Sequence, residues 1–257
     1  MNHPFRTVLA LTRRQINELV RVPTGALPGV LAPTLFMLGL SAVFGAASKL
    51  RGFGDVDSFR TFIVPVGLMQ GAGFTGAATG VNLARDIEQG WFDRLLVAPV
   101  SRPTLLTGIV LSASLRALLP GTFLLIVAFA LGVHWPGIDG LLLAYVLIMG
   151  MAAAMACFAV TVALKFRTQQ AAPLMQMGNF ILTLFTTSYA PYALLAGWLQ
   201  VVADINPVTN VLAGARQGFL GDITWADTWP ALLSVAGMLV VFGGFALRGM
   251  SRQGVNQ

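Results

Sequence analysis

The chain has 257 residues, of which 56% are hydrophobic and only 10% charged, with a mean hydropathy of +0.76. A soluble domain carries about 25% charged residues, so a soluble globular protein is excluded. Its net charge of +6 comes from fourteen Arg and two Lys spread between apolar runs, a pattern that argues against a nucleic-acid surface and suits an anionic membrane surface.

In chain order, Phe5, Val8, Thr12, Ile16 and Leu19 recur at helical spacing while Arg6, Arg13, Arg14, Asn17 and Arg21 take other faces. This predicts an interfacial helix within residues 1–26; a solvated basic tail is the alternative. The N-terminus lacks a continuous apolar core and an Ala-x-Ala cleavage site, so no signal peptide is expected. Six apolar runs follow at roughly 27–48, 61–83, 104–131, 138–164, 171–190 and 227–247, each long enough to cross about 30 Å of hydrocarbon. With the N-terminus inside, eleven basic residues fall on the cytoplasmic side and four on the other, which places both termini in the cytoplasm. Residues 84–102 then form the first cytoplasmic loop.

Between Tyr189 and Asp222 the chain is apolar but broken at Asn206-Pro207 and by several Gly. The expectation is a re-entrant outer segment over 191–226, with Pro207 starting its second short helix; two further spans are the alternative. Gly67, Gly71, Gly76 and Gly80 have the spacing that lets membrane helices approach closely. GAGFTG, Gly71 to Gly76, lies mid-span and is no dinucleotide fingerprint; the chain also lacks a P-loop and any catalytic His constellation. Cys157 is the only cysteine, so no disulfide framework or cysteine-based metal site is expected.

Polar residues inside apolar runs carry more information. Gln176, Asn179, Thr183 and Thr187 follow i, i+3, i+7 and i+11, one stripe on a helix facing protein or water. It reads either as a substrate path or as interhelical hydrogen bonding. Thr75, Thr79 and Asn82, with Gln70 nearby, make a weaker stripe. Arg116 pairs inside the bundle, snorkels to the interface, or lines a path.

The loop DIEQGWFDRLLVAPVSR, Asp86 to Arg102, holds three of the ten acidic residues. One amphipathic helix over Arg85–Val97, stopped by Pro99, would stack Ile87, Trp91 and Leu95 on one face and present Asp86, Gln89, Asp93 and Arg94 on the other. An acidic face beside anionic lipid points to a protein partner.

Glu88-Gln89-Gly90, Asp93-Arg94-Leu95-Leu96 and Pro99-Val100-Ser101-Arg102 resemble the E-x-G-x-x-x-R-L-x-x-x-P-V-S-R pattern of the ABC-2 type transporter permeases, in particular the daunorubicin-resistance branch of bacterial exporters. Asn206-Pro207-Val208-Thr209 through Arg216 to Gly221 resembles that family's N-P-x-T segment. The resemblance covers nearly the whole chain; Trp91-Phe92 is more aromatic than the family's usual residues after the Gly. It implies a single all-α transmembrane domain over 1–257, with six spans and a cytoplasmic coupling helix. This domain would dimerise in a four-subunit complex in the bacterial inner membrane, with ATP and Mg held by a separate ATP-binding cassette ATPase. The implied coupling residues are Asp86, Glu88, Gly90, Trp91, Asp93, Arg94, Leu95 and Pro99, with Trp91 and Phe92 either anchored in lipid or filling the ATPase groove. The implied substrate path is Gln70, Gln176, Asn179, Thr183 and Thr187, and the outer segment is marked by Asn206, Pro207 and Arg216. The expected function is efflux of a hydrophobic or amphipathic compound, with no ATPase site in this chain. A proton-coupled secondary transporter and a non-transporting scaffold are the alternatives.

Overall fold

The computed structural model describes residues 4–21, 27–46, 59–97 and 100–253. Among them the chain forms ten α-helices and no strand: α1 Pro4–Arg21, α2 Leu27–Val43, α3 Phe59–Glu88, α4 Trp91–Val97, α5 Arg102–Ala130, α6 Gly137–Phe166, α7 Ala172–Leu184, α8 Gly197–Ile205, α9 Pro207–Leu220 and α10 Trp225–Gln253. Three stretches, Arg102–Ala130, Gly137–Phe166 and Trp225–Arg252, are long and apolar enough to cross a bilayer, and Gly29–Val43 is a shorter apolar helix.

At the centre lies α6, with an inner face of Ala152, Ala156, Ala159 and Ala163 that is wholly buried. α3 crosses it at close range. A Cβ placed on Gly76 would lie 2.7 Å from the Ala152 carbonyl oxygen, and one on Gly80 would lie 2.5 Å from the Ala159 Cβ. Small residues let the two backbones meet, which is the main source of helix cohesion where lipid is as apolar as the core. Gly71, by contrast, makes only ordinary contacts. α5, α9 and α10 close around α6, while α2 packs on α3 and α5.

The outside of the bundle is apolar: Leu35 of α2, Ile126 of α5, Leu142 of α6, Met177 of α7 and Val240 of α10 are all exposed. Hydroxyls within the helices turn back on their own backbone, as Thr34 Oγ1 does to the Val30 carbonyl and Ser41 Oγ to that of Met37, which satisfies them without water.

One end of the bundle gathers the last turns of α3, α6 and α10, the first turns of α5 and α7, and α4, through a buried cluster that includes Leu83, Phe92, Leu105, Leu164, Ala171 and Met250. α1 lies against α5, with Thr12 Oγ1 donating to the Gly108 carbonyl. Arg14, Arg85, Arg94, Arg102, Lys165 and Arg167 belong to these same turns and helices. At the opposite end Arg60 donates to the Leu131 carbonyl.

Two expected boundaries shift. α2 ends at Val43, and the end of the 27–48 run lies outside the described residues. The run 171–190 is helical only over α7, 13 residues or about 20 Å. The helix stops because other groups take its last carbonyls: Thr186 Oγ1 and Ser188 Oγ donate to that of Thr183, and Asn206 Nδ2 donates to those of Leu182 and Phe185.

Gly80→Ala is expected to destabilise the detergent-solubilised protein by about 1–3 kcal/mol, the usual effect of overpacking. Gly39→Ala, at a position with nothing within 4 Å, is the control. Equal thermal midpoints for the two variants would show that the α3–α6 approach is not tight.

Candidate functional site

The segment expected as one helix over 85–97 is an elbow. α3 runs on to Glu88, where the Gln89 and Gly90 N–H groups bond to the Arg85 and Ile87 carbonyls. Gly90 then turns the chain with φ +69°. Open space surrounds Gly90, so its requirement is the left-handed backbone, where glycine has no Cβ penalty. α4 folds back and drives Phe92, 1% exposed, into the cluster with Leu83, Ile87 and Leu105, and Leu95 packs against the same cluster. The neighbouring Trp91 is half-buried, with the Arg14 guanidinium 3.5 Å above its ring. Phe92 therefore occupies the protein's own core, a destination that the lipid-or-ATPase choice did not include. Pro99 lies outside the described residues.

All three acids turn to their own chain. Asp86 takes two hydrogen bonds from Arg14, at 3.2 and 3.4 Å, while Asp93 pairs with Arg167 at 3.3 Å. Glu88 accepts from Thr168 Oγ1 at 2.7 Å, from the Gln169 backbone N–H at 2.9 Å and from Gln169 Nε2 at 2.5 Å. The Gln169 side chain, then Thr168 and the Gln169 N–H, hold the Glu88 carboxyl below its ordinary value of 4.5. The bonds favour the charged form, so this attachment is complete at neutral pH and is lost only as acid carries the group through its lowered value. Polar contacts and ion pairs at the surface add little stability, so these contacts chiefly orient the elbow, and Phe92 anchors it. The exposed rim is Arg85, Glu88, Gln89 and Arg94. The acids expected to meet a partner thus bond to α1 and to the turn between α6 and α7, and Glu88 remains exposed on the rim while doing so.

The polar stripe divides. Asn179 and Thr183 are buried, and Asn179 Oδ1, Asn179 Nδ2 and Thr183 Oγ1 have no hydrogen-bond partner among the described residues. Asn179 packs against Gly73 of α3, where any Cβ would collide with it. Gln176 is exposed beside the apolar outer face of α7. Thr187 lies beyond the helix and accepts from Arg216 Nη1 at 3.1 Å. Gln70 donates to the Tyr189 hydroxyl at 2.9 Å. Arg116 is buried and donates to Thr79 Oγ1 at 2.6 Å, the internal pairing among its three expected roles.

Toward the other end, Asn206 works in both directions. Its Oδ1 accepts from the Val208 N–H to cap α9, Pro207 opens that helix, and its Nδ2 closes α7. Arg216 is buried, donates to the Ser188 carbonyl at 3.0 Å, and lies 3.9 Å over the Phe62 ring. α9 is embedded in the bundle, whereas α8 exposes Trp198, Val201 and Ile205.

Sequence reasoning missed Arg14, Arg167, Thr168 and Gln169 as elbow partners. Thr168 before an apolar helix does carry a helix-start signal, and its side chain caps the short 3₁₀ turn Gln169–Ala171. No spacing rule connects it to Glu88, 80 residues earlier. Among the described residues no cluster of His, Cys, Asp or Glu could hold a metal ion.

Membrane-length apolar helices, an apolar exterior and close small-residue crossings define a multi-pass helical membrane protein. The profile of the ABC-2 type transporter family matches residues 6–220, and the chain belongs to that family. It is similar to the probable doxorubicin resistance ABC transporter permease protein DrrC of Mycobacterium tuberculosis, 27% identical over 93% of this chain and 83% of the relative. Similarity extends to the daunorubicin resistance ABC transporter permease protein DrrB1 of Streptomyces coeruleorubidus, 25% identical over 85% and 77%, and to the putative transport permease ycf38 of Cyanophora paradoxa, 25% identical over 82% and 73%.

Phe92→Ala is expected to cost about 3–5 kcal/mol, as for a fully buried aromatic, and to make the elbow a preferred site of limited proteolysis. Trypsin cleavage at Arg94 no faster than in the wild type would argue that Phe92 does not anchor α4.

Proposed function

We propose that this chain is the permease subunit of an ATP-driven exporter, with the α3–α4 elbow resting on a separate ATPase. The observation that carries this reading is the elbow itself, a short helix pinned to the basic end of the bundle with Arg85, Glu88, Gln89 and Arg94 exposed. A permease without a P-loop needs such a surface to receive work done by another protein. In this reading α2, α3, α5, α6, α7 and α10 are the six spans, α1 lies at the inner interface, and 191–226 folds back into the outer leaflet. Both termini are cytoplasmic, in the bacterial inner membrane.

Two copies with two ATPases form the working complex. The substrate is a hydrophobic or amphipathic compound, a choice supported by the drug-resistance names of the relatives. Asn179 and Thr183, with polar atoms unpaired at the α3–α7 contact, are the stripe residues best suited to meet it, with Gln176 at the rim. Thr187 and Gln70 already bond to Arg216 and Tyr189.

Pull-down of the chain is expected to recover an ATPase with Walker motifs, and Arg94→Glu to recover much less of it at unchanged permease level. Cells making both proteins are expected to accumulate less doxorubicin than cells making the permease alone. Efflux that persists without any ATPase would identify a secondary transporter instead. Asn179→Leu is expected to change the ranking of exported compounds while ATPase recovery is retained; an unchanged ranking assigns Asn179 to packing.

A further inference from the structure

We infer that Glu88 is a positioning residue that fastens the elbow to the base of α7, so that displacement of the elbow moves α7 together with α3. This rests on the reading of the elbow as the ATPase contact, and it gives the exposed Glu88 a task beyond any contact with the ATPase.

Glu88 is the last residue of α3, and its carboxylate takes two hydrogen bonds at one oxygen and a third at the other. All three donors, Thr168 Oγ1, the Gln169 N–H and Gln169 Nε2, belong to the turn that leads directly into α7 at Ala172. A carboxylate that accepts several N–H and O–H donors makes charge-assisted bonds, about twice as strong as neutral ones.

A second strand runs parallel to the first. Asp93 of α4 pairs with Arg167, which holds a left-handed conformation, φ 54°, at the end of α6. The elbow therefore grips the α6–α7 turn on both sides of Gly90. Ala171 and Met175 of that turn and of α7 lie in the same buried cluster as Phe92, so apolar packing backs the polar bonds.

Besides this packing, α7 is held by its contact with α3. It is short and makes its main helix contact with α3, and Leu174, Met177 and Ile181 are exposed on its outer side. A helix gripped at its base and free on its outer face follows whatever moves the grip.

The test uses the complex recovered with its ATPase, in lipid vesicles, with Cys157→Ala removing the sole native cysteine. Nitroxide pairs at Gln89→Cys with Ser251→Cys, and at Met177→Cys with Ser251→Cys, report the elbow and α7 against the end of α10. Distances are measured without nucleotide and after trapping with ATP and vanadate. In the parent both are expected to shift; in Glu88→Ala the elbow distance still shifts and the α7 shift is lost, while Glu88→Gln, which keeps a carbonyl acceptor for Thr168 and the Gln169 N–H, restores it. An α7 shift that survives Glu88→Ala, or a parent in which the elbow moves and α7 does not, overturns the inference. Failure of the ATPase to co-purify with the parent, or two silent distances there, overturns the coupling reading and this inference with it.

Discussion

The structure depends on the backbone approach of α3 to α6. In a lipid environment helices gain little from hiding apolar surface from one another, so cohesion comes from how closely they pack. Gly76 and Gly80 on one side, and the alanines of α6 on the other, provide that closeness. α3 is 30 residues long, about 45 Å, so it reaches beyond the crossing at both ends. One end carries Arg60 to the Leu131 carbonyl, and the other becomes the elbow. A rigid central pair with a helix end projecting from it suits a subunit that must take up a push from outside.

The second constraint is that broken backbone in an apolar medium has to be satisfied from within. The chain meets it with side chains that come from a distance. Asn206 closes α7 and opens α9, Ser188 and Thr186 share the Thr183 carbonyl, and Arg216 takes that of Ser188. The irregular residues Phe185 to Ser188 after α7 are therefore tied to their neighbours by these bonds. The same logic operates at the elbow, where Glu88 binds the N–H that opens the turn before α7.

Much of this was legible in the residues. Apolar runs located α3, α5, α6 and α10 to within a few positions, because long helices follow from long stretches of hydropathy. Asn206-Pro207 correctly marked a helix start, since Pro suits the first turn and Asn caps it. The Gly76 and Gly80 spacing pointed to a close crossing that exists. Hydropathy over-extends the fifth run because it has no term for where a helix loses its carbonyl partners; Phe185 to Ala190 carry no charge and so do not interrupt the run, although Thr186, Thr187 and Ser188 make them more polar than the helix before them. The elbow was read as one straight helix because its amphipathic periodicity continues across Gly90, and only the left-handed backbone of that residue breaks it. Charge in a loop is visible in sequence, but its partners within the chain are not: Arg14, Thr168 and Arg167 lie 72 to 80 residues away from the acids they bond and nothing in spacing joins them.

In the proposed six-span reading, the brevity of α7 has a consequence for the membrane around the protein. At about 20 Å it falls roughly 10 Å short of an average hydrocarbon layer, and above it the chain turns aside toward α8, where Phe185 and Trp198 meet edge to face. Lipid bordering this helix faces a shallower apolar wall than lipid bordering α5, α6 or α10. In that reading, local thinning of the bilayer, or tilting of lipid tails beneath Trp198, is expected on that side. The subunit thus has a thin flank and a thick one, and bilayer thickness becomes a variable to which the two flanks respond unequally.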